Sequence, residues 1–123
     1  MNTILYVEDD TGLRNATQTF LEDLGYHVIP ARHGADAWDK LQQGDLPDLI
    51  LSDRNMPVLD GLQLRQRLLA DHDLAPIPFI FLTGDPDASL EKMADAVVNK
   101  AGFIRTLPPL LDNYLNPLRR TRQ

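Results

Sequence analysis

The chain has 123 residues, which is room for one compact domain and hardly for two. Its formal net charge of −6 disfavours direct binding to nucleic acid or to an anionic membrane. The absence of cysteine excludes a disulfide framework and thiolate metal sites. The apolar runs are too short for a membrane span and the first residues lack the features of a signal peptide, so we expect a cytoplasmic protein.

Short apolar runs alternate with amphipathic segments along the chain. The apolar runs predict strands at residues 4–7, 27–30, 48–52, 77–82 and 96–99. Helical periodicity predicts helices at residues 11–24, 34–43 and 61–70. Only residues 85–95 separate the last two strands, so a fourth helix there has two turns at most. The final helix is predicted to begin at Pro108 and Pro109, with Thr106 or Leu107 just before it.

This alternation predicts right-handed βαβ units and a parallel sheet with helices on both faces. The strands are apolar throughout, and burial on both faces of a sheet requires that pattern. Five strands and their helices in a chain of this length predict a small doubly wound α/β fold.

Acidic residues follow two strands that such a fold can place side by side. Glu8 and Asp9 come after the first strand, and Asp53 comes after the third. Three carboxylates in one pocket need a compensating cation, and Mg²⁺ prefers oxygen ligands. We predict Asp9 and Asp53 as direct ligands and Glu8 as a ligand through water. The backbone carbonyl of Asn55 is a further predicted ligand.

Asp53 is also the predicted nucleophile, because a carboxylate beside Mg²⁺ can take a phosphoryl group. Thr83 ends the fourth strand and can donate a hydrogen bond to a phosphoryl oxygen, while Lys100 follows the fifth strand and can offer its ammonium. Taken singly, each of these residues has an ordinary structural explanation. Acidic, hydroxyl and lysine side chains at the ends of four strands together favour a functional site. A small Mg²⁺-dependent phosphohydrolase with Asp53 as nucleophile is an alternative.

These residues, in this order, resemble the receiver domains of bacterial response regulators. The matching segments are residues 4–10, 47–53, 55–57, 60–61, 81–84 and 94–100. The resemblance implies a flavodoxin-like sheet with strand order 2-1-3-4-5. It implies a receiver domain over residues 1–118, followed at 119–123 by a short basic tail or the start of a linker.

The resemblance also implies a function. A sensor histidine kinase, a phosphotransfer protein or a small phosphodonor would phosphorylate Asp53, which would draw Thr83 inward and change the surface around the last helices. Such a domain is a signalling switch rather than a stand-alone enzyme. It would act on a downstream protein or on an output domain that this sequence lacks, and a homodimer is possible.

Three features depart from the family pattern. The segment between Thr83 and Lys100 is shorter than usual by about one helical turn, so the fourth helix is expected to be short or rebuilt. Val97 stands where the family often has a switching aromatic residue, and Ala101 replaces the usual proline. We therefore expect signalling through an altered face, or else a pseudo-receiver that never carries phosphate.

Two further positions are implied by the resemblance. Asn55 and Asp85 each lie two residues after a site residue, Asp53 and Thr83 respectively. In the family these positions tune how long the phosphoryl group persists. Polar side chains there can orient water, so a lifetime of minutes rather than days is expected.

Overall fold

The computed structural model describes residues 2–44 and 46–116. Within these residues five parallel strands form one sheet in the order β2-β1-β3-β4-β5, which confirms the predicted topology. The strands are β1 (Thr3–Val7), β2 (His27–Ala31), β3 (Leu49–Ser52), β4 (Phe79–Thr83) and β5 (Ala96–Asn99). The predicted basic tail at residues 119–123 lies outside the described residues.

Five helices cover the sheet within the described ranges. They are α1 (Thr11–Asp23), α2 (Gly34–Gln43), α3 (Gly61–Leu69), α4 (Ala88–Glu91) and α5 (Phe103–Leu115). Asp10 caps α1 by accepting from the Leu13 amide, and Asp60 forms a capping box with Gln63 at the start of α3. None of these helices is long and apolar enough to cross a bilayer.

The sheet is buried on both faces, which explains its uniformly apolar strands. Alternate residues of each strand point to opposite sides, so Leu5 and Val7 pack towards α2, α3 and α4. Ile4 and Tyr6 pack towards α1 and α5 on the other face. Because all five strands are parallel, their carboxyl ends lie along the same edge of the sheet.

The fourth helix is a single turn, as the short segment between Thr83 and Lys100 predicted. The Leu90 side chain anchors it in the core. The buried guanidinium of Arg65, on α3, supports the chain after α4, because its Nε donates to the Met93 carbonyl at 2.6 Å. The same guanidinium lies over the Phe79 ring, 5.2 Å from its centroid.

The predicted start of the last helix was wrong. Helix α5 begins at Phe103, five residues before Pro108, and Gly102 rather than Thr106 or Leu107 precedes it. Gly102 has a φ of 77°, a left-handed conformation that glycine adopts without strain. The Ala101 amide donates to the Asn99 side chain at 2.9 Å, so this turn is built without the usual proline. Pro108 and Pro109 lie inside the helix.

Candidate phosphorylation and metal site

The acidic residues meet at the carboxyl edge of the sheet. The register between β1 and β3 pairs Val7 with Ser52, so Glu8 and Asp53 follow their strands at the same level. One carboxylate oxygen from each of Glu8, Asp9 and Asp53 lies within 4.8 Å of the other two. The Glu8 and Asp53 side chains are buried and Asp9 is exposed. The predicted cluster of three carboxylates is therefore present.

Lys100 reaches this cluster from the end of β5. Its Nζ lies 2.8 Å from Glu8 Oε1 and 3.0 Å from Asp53 Oδ2. The ammonium thus stands between two buried carboxylates and partly compensates their charge. A lysine at this position is not merely a solvated surface charge.

The two partners of this ion pair have shifted pKa values. Burial raises the pKa of Glu8 to about 7, and the nearby charge of Asp53 adds to this, while Lys100 acts in the opposite direction. Burial alone would lower the pKa of Lys100, but its contacts with Glu8 and Asp53 outweigh burial and raise the pKa. Lys100 therefore stays charged, whereas burial and the Asp53 charge disfavour the ionised form of Glu8.

The backbone around Asp53 fixes the position of its carboxylate. The Asp53 amide donates to the Val7 carbonyl at 3.0 Å, and the Arg54 amide donates to Asp53 Oδ1 at 2.7 Å. Gly61 packs directly against this turn, because a Cβ added there would lie 2.1 Å from the Asp53 carbonyl oxygen. The β3–α3 loop is thus closed over the strand end, and only a residue without a side chain fits at Gly61.

Thr83 lies at the end of the neighbouring strand, fully buried. Its Oγ1 accepts a hydrogen bond from the Asp85 amide at 3.1 Å. This bond orients the hydroxyl and leaves its own proton available for a second acceptor. The arrangement suits the predicted role of Thr83 as a donor to a phosphoryl oxygen.

The other predicted positions lie in the loops after Asp53 and Thr83 and on β5. Asn55 is exposed in the loop that follows Asp53, and Asp85 is exposed in the loop that follows Thr83. Val97 is half-buried and packs against the core between the sheet and helices α2 to α4. A valine there has no large ring to swing between a buried and an exposed position.

Two arginines at the site were missed by sequence reasoning. Arg14, on the first turns of α1, donates from Nη1 to the Glu8 carbonyl at 2.8 Å and braces the acidic turn. Arg54 follows Asp53 directly and reaches the β4–α4 loop. The position of Arg54 next to the predicted nucleophile was a signal that it belongs to the site. Its partner, Asp85, lies 31 residues away along the chain, so the contact itself could not be read from the sequence.

The donor set fits a magnesium ion. Mg²⁺ binds oxygen ligands at about 2.1 Å, so ligands on opposite sides of the ion lie about 4.2 Å apart. One carboxylate oxygen from each of Glu8, Asp9 and Asp53 lies within 4.8 Å of the other two, so the three groups can face one ion, directly or through a water. Buried carboxylates at this density, with one lysine for compensation, are what a divalent cation would stabilise.

The comparison with known families decides the identity of the fold. The family model of the response regulator receiver domain matches residues 4–105. The chain belongs to this family. Receiver domains are signalling modules of two-component systems, and the segments identified from sequence lie within the matched range.

Two curated relatives illustrate the range of proteins that carry such a receiver domain. The chain is 38% identical to response regulator Rre1 of Synechocystis over 119 aligned residues. This alignment covers 92% of the chain but only 51% of the relative. The chain is also 36% identical to chemotaxis protein CheY1 of Helicobacter pylori over 113 aligned residues, and this alignment covers 91% of the chain and 82% of the relative. The chain thus spans about half the length of the first protein and most of the second.

A solved structure bears on the metal. The receiver domain of a sensor histidine kinase from Pseudomonas aeruginosa matches with a TM-score of 0.83 and 25% identity, covering 92% of this chain and 96% of that one. That structure has a magnesium ion coordinated in its active-site cleft.

Proposed function

We propose that this receiver domain is a phosphoacceptor switch that carries its phosphoryl group on Asp53. The observation that supports this most is the buried Asp53 carboxylate, flanked by Glu8 and Asp9 and held 3.0 Å from the Lys100 ammonium. An oxygen of Asp53 would attack the phosphorus of a phosphohistidine, and the P–N bond would break as the imidazole leaves with the bonding electrons.

Asp9 and Asp53 would hold Mg²⁺ directly, with Glu8 through water and the Asn55 carbonyl as a further ligand. When bound, the ion would neutralise negative charge on the phosphoryl oxygens during transfer. Lys100 would contact one phosphoryl oxygen, and Thr83 would donate its hydroxyl proton to another.

The lifetime of the phosphoryl group would depend on two exposed polar residues. Asn55 and Asp85 lie in the loops that follow Asp53 and Thr83, where they can orient an attacking water. We expect hydrolysis within minutes rather than days. The protein would catalyse its own phosphorylation and dephosphorylation and no other reaction.

The partners follow from this role. The phosphodonor would be a sensor histidine kinase or a phosphotransfer protein in the cytoplasm, and the target would be a downstream protein or an output domain joined after residues 1–118. With a single-turn α4 and Val97 in place of an aromatic residue, signalling would use an altered face, in a monomer or a homodimer. Identical amide spectra of free and phosphorylated protein over residues 85–105 would contradict that altered route.

Intact-mass measurement after incubation with acetyl phosphate and Mg²⁺ tests the central proposal. We expect the wild type to gain one phosphoryl group and Asp53→Asn to gain none. Asp39→Asn, an exposed aspartate on α2, is the matched control and should gain one group. No gain in the wild type would indicate a phosphate-independent pseudo-receiver, and many turnovers of a phosphomonoester would indicate a phosphohydrolase.

A further inference from the structure

Arg54 connects the two loops that border the phosphorylation site. Its Nη1 donates to the Asp85 carbonyl oxygen at 3.4 Å. The same nitrogen lies 3.8 Å from Asp85 Oδ2 and 3.7 Å from Asp87 Oδ2. The Arg54 side chain is three-quarters buried, whereas Asp85 is largely exposed and Asp87 about half exposed. One guanidinium therefore holds the segment of residues 84–87, which we call the 84–87 loop, against the loop after Asp53.

The other hydrogen bonds of the 84–87 loop are made to residues close in sequence: the Asp85 amide donates to Thr83 Oγ1, and Asp87, the N-cap of α4, accepts from the Ser89 and Leu90 amides. All four residues of the loop are exposed, and the single-turn α4 that follows is anchored by Leu90. Asp85 and Asp87 carry like charges that repel each other and the acidic cluster nearby. Removal of Arg54 would leave both carboxylates without this cation and the loop without its contact to the residue after Asp53.

Arg54 is also linked to the reacting groups on both sides. Its amide donates to Asp53 Oδ1, while the loop that its guanidinium holds donates from the Asp85 amide to Thr83 Oγ1. Phosphorylation would replace the single negative charge of the Asp53 carboxylate with about two on the phosphoryl group, on the residue directly before Arg54. That charge would repel Asp85 and Asp87 and compete with them for the guanidinium.

We infer that Arg54 is a positioning residue that holds the 84–87 loop in the unphosphorylated state and releases it when Asp53 is phosphorylated. Only the release on phosphorylation rests on the proposed function. The holding role concerns the resting protein and can be tested without any phosphodonor.

The test is hydrogen–deuterium exchange of the full chain, read on peptides that cover residues 84–91. In the resting protein, Arg54→Met should speed exchange there roughly two- to tenfold, the range expected for loss of a few exposed ion-pair contacts. Arg67→Met is the matched control, because Arg67 stacks over Trp38 on the α2–α3 surface. It should leave these peptides unchanged.

The origin of the effect is tested in a second background. Arg54→Met introduced into the Asp85→Asn/Asp87→Asn protein should have a clearly smaller effect than in the wild type. Unchanged exchange in Arg54→Met, or a full effect in the double-asparagine background, would overturn the holding role.

Release is tested with beryllofluoride and Mg²⁺ as a mimic of the phosphoryl group. In wild type the mimic should speed exchange of residues 84–91 towards the Arg54→Met level, and in Arg54→Met it should add little. Equal exchange with and without bound mimic would overturn release. Failure of the mimic to bind, read by fluorine NMR, would instead count against the proposed function and would leave the resting-state result standing.

Discussion

Lys100 and Glu8 form an ion pair of 2.8 Å although two strands, β3 and β4, separate the strands that they follow. The lysine side chain crosses the carboxyl edge of the sheet and contacts Asp53 on the way, at 3.0 Å. One flexible side chain thus joins three strand ends. Its charge partly compensates the two buried carboxylates, Glu8 and Asp53.

Lys100→Met should slow phosphorylation of Asp53 by acetyl phosphate about 100-fold, because loss of one charge-stabilising donor at a reacting group typically costs about 10²–10³ in rate. The rate of phosphoryl incorporation, followed by intact mass in saturating Mg²⁺, measures this. Lys92→Met, at an exposed lysine after α4, should behave as the wild type. A Lys100→Met rate within twofold of wild type would remove Lys100 from the mechanism.

Magnesium should stabilise the folded protein, because the three carboxylates come together only on folding. At a Mg²⁺ concentration of 100 times Kd, the free energy of unfolding should rise by about 2.7 kcal/mol. Thermal unfolding with Mg²⁺ and with EDTA measures the shift, and Asp9→Asn should abolish most of it. Asp39→Asn should keep it. An equal shift in Asp9→Asn would show that the ion acts elsewhere.

Gly61→Ala should destabilise the fold by about 1–3 kcal/mol, because the new Cβ would lie 2.1 Å from the Asp53 carbonyl oxygen and backbone would have to move. Urea unfolding measures the free energy. Gly12→Ala is the matched control: it lies in α1, where an added Cβ meets the Asp10 side chain at 3.5 Å, an ordinary contact, and alanine favours a helix. A neutral Gly61→Ala would contradict the close approach.

Asp36 should make stability depend on pH in the acidic range. Burial opposes its charge, but the Arg32 amide, 2.9 Å from Oδ2, and the Lys40 and Arg32 charges outweigh burial and lower the pKa of Asp36. A lowered carboxyl pKa contributes stability above the unfolded value of about 3.9, and this contribution is lost as the pH falls through the folded value.

The measurement is the free energy of unfolding of wild type and Asp36→Asn between about pH 6 and about pH 3. The wild type should be the more stable at the upper end, and the difference should shrink as the pH falls. Asp39→Asn, on the same helix, is the control and should follow the wild type throughout. A difference that is constant across this range would show that Asp36 stabilises the helix without its charge.

Much of the fold could be predicted because burial on two faces imposes a simple pattern. Uniformly apolar strands indicated a parallel sheet, and the polar residues after them then had to meet at one edge, as Glu8 and Asp53 do. The start of α5 could not be predicted this way. Pro108 and Pro109 imitate the signal for a first helical turn, whereas the real start depends on the conformation of Gly102.

The Arg54 contacts were out of reach for a different reason. They join two loops that are distant in sequence, since Arg54 and Asp85 lie 31 residues apart along the chain. Sequence spacing showed that α4 would be short, but not which side chain would contact the loop before it. Such cross-loop ion pairs require coordinates.

The two prolines inside α5 divide that helix into parts with different mechanical properties. Neither proline has an amide proton, so the carbonyls of Ile104 and Arg105, one turn earlier, lack the usual donor four residues further on, and both residues are exposed. Two of the backbone hydrogen bonds that would tie the turn after Lys100 to the turns of Leu107 and Leu111, both buried in the core, are therefore missing. We expect the lysine end of α5 to tolerate small displacements more readily than the turns that carry these two leucines.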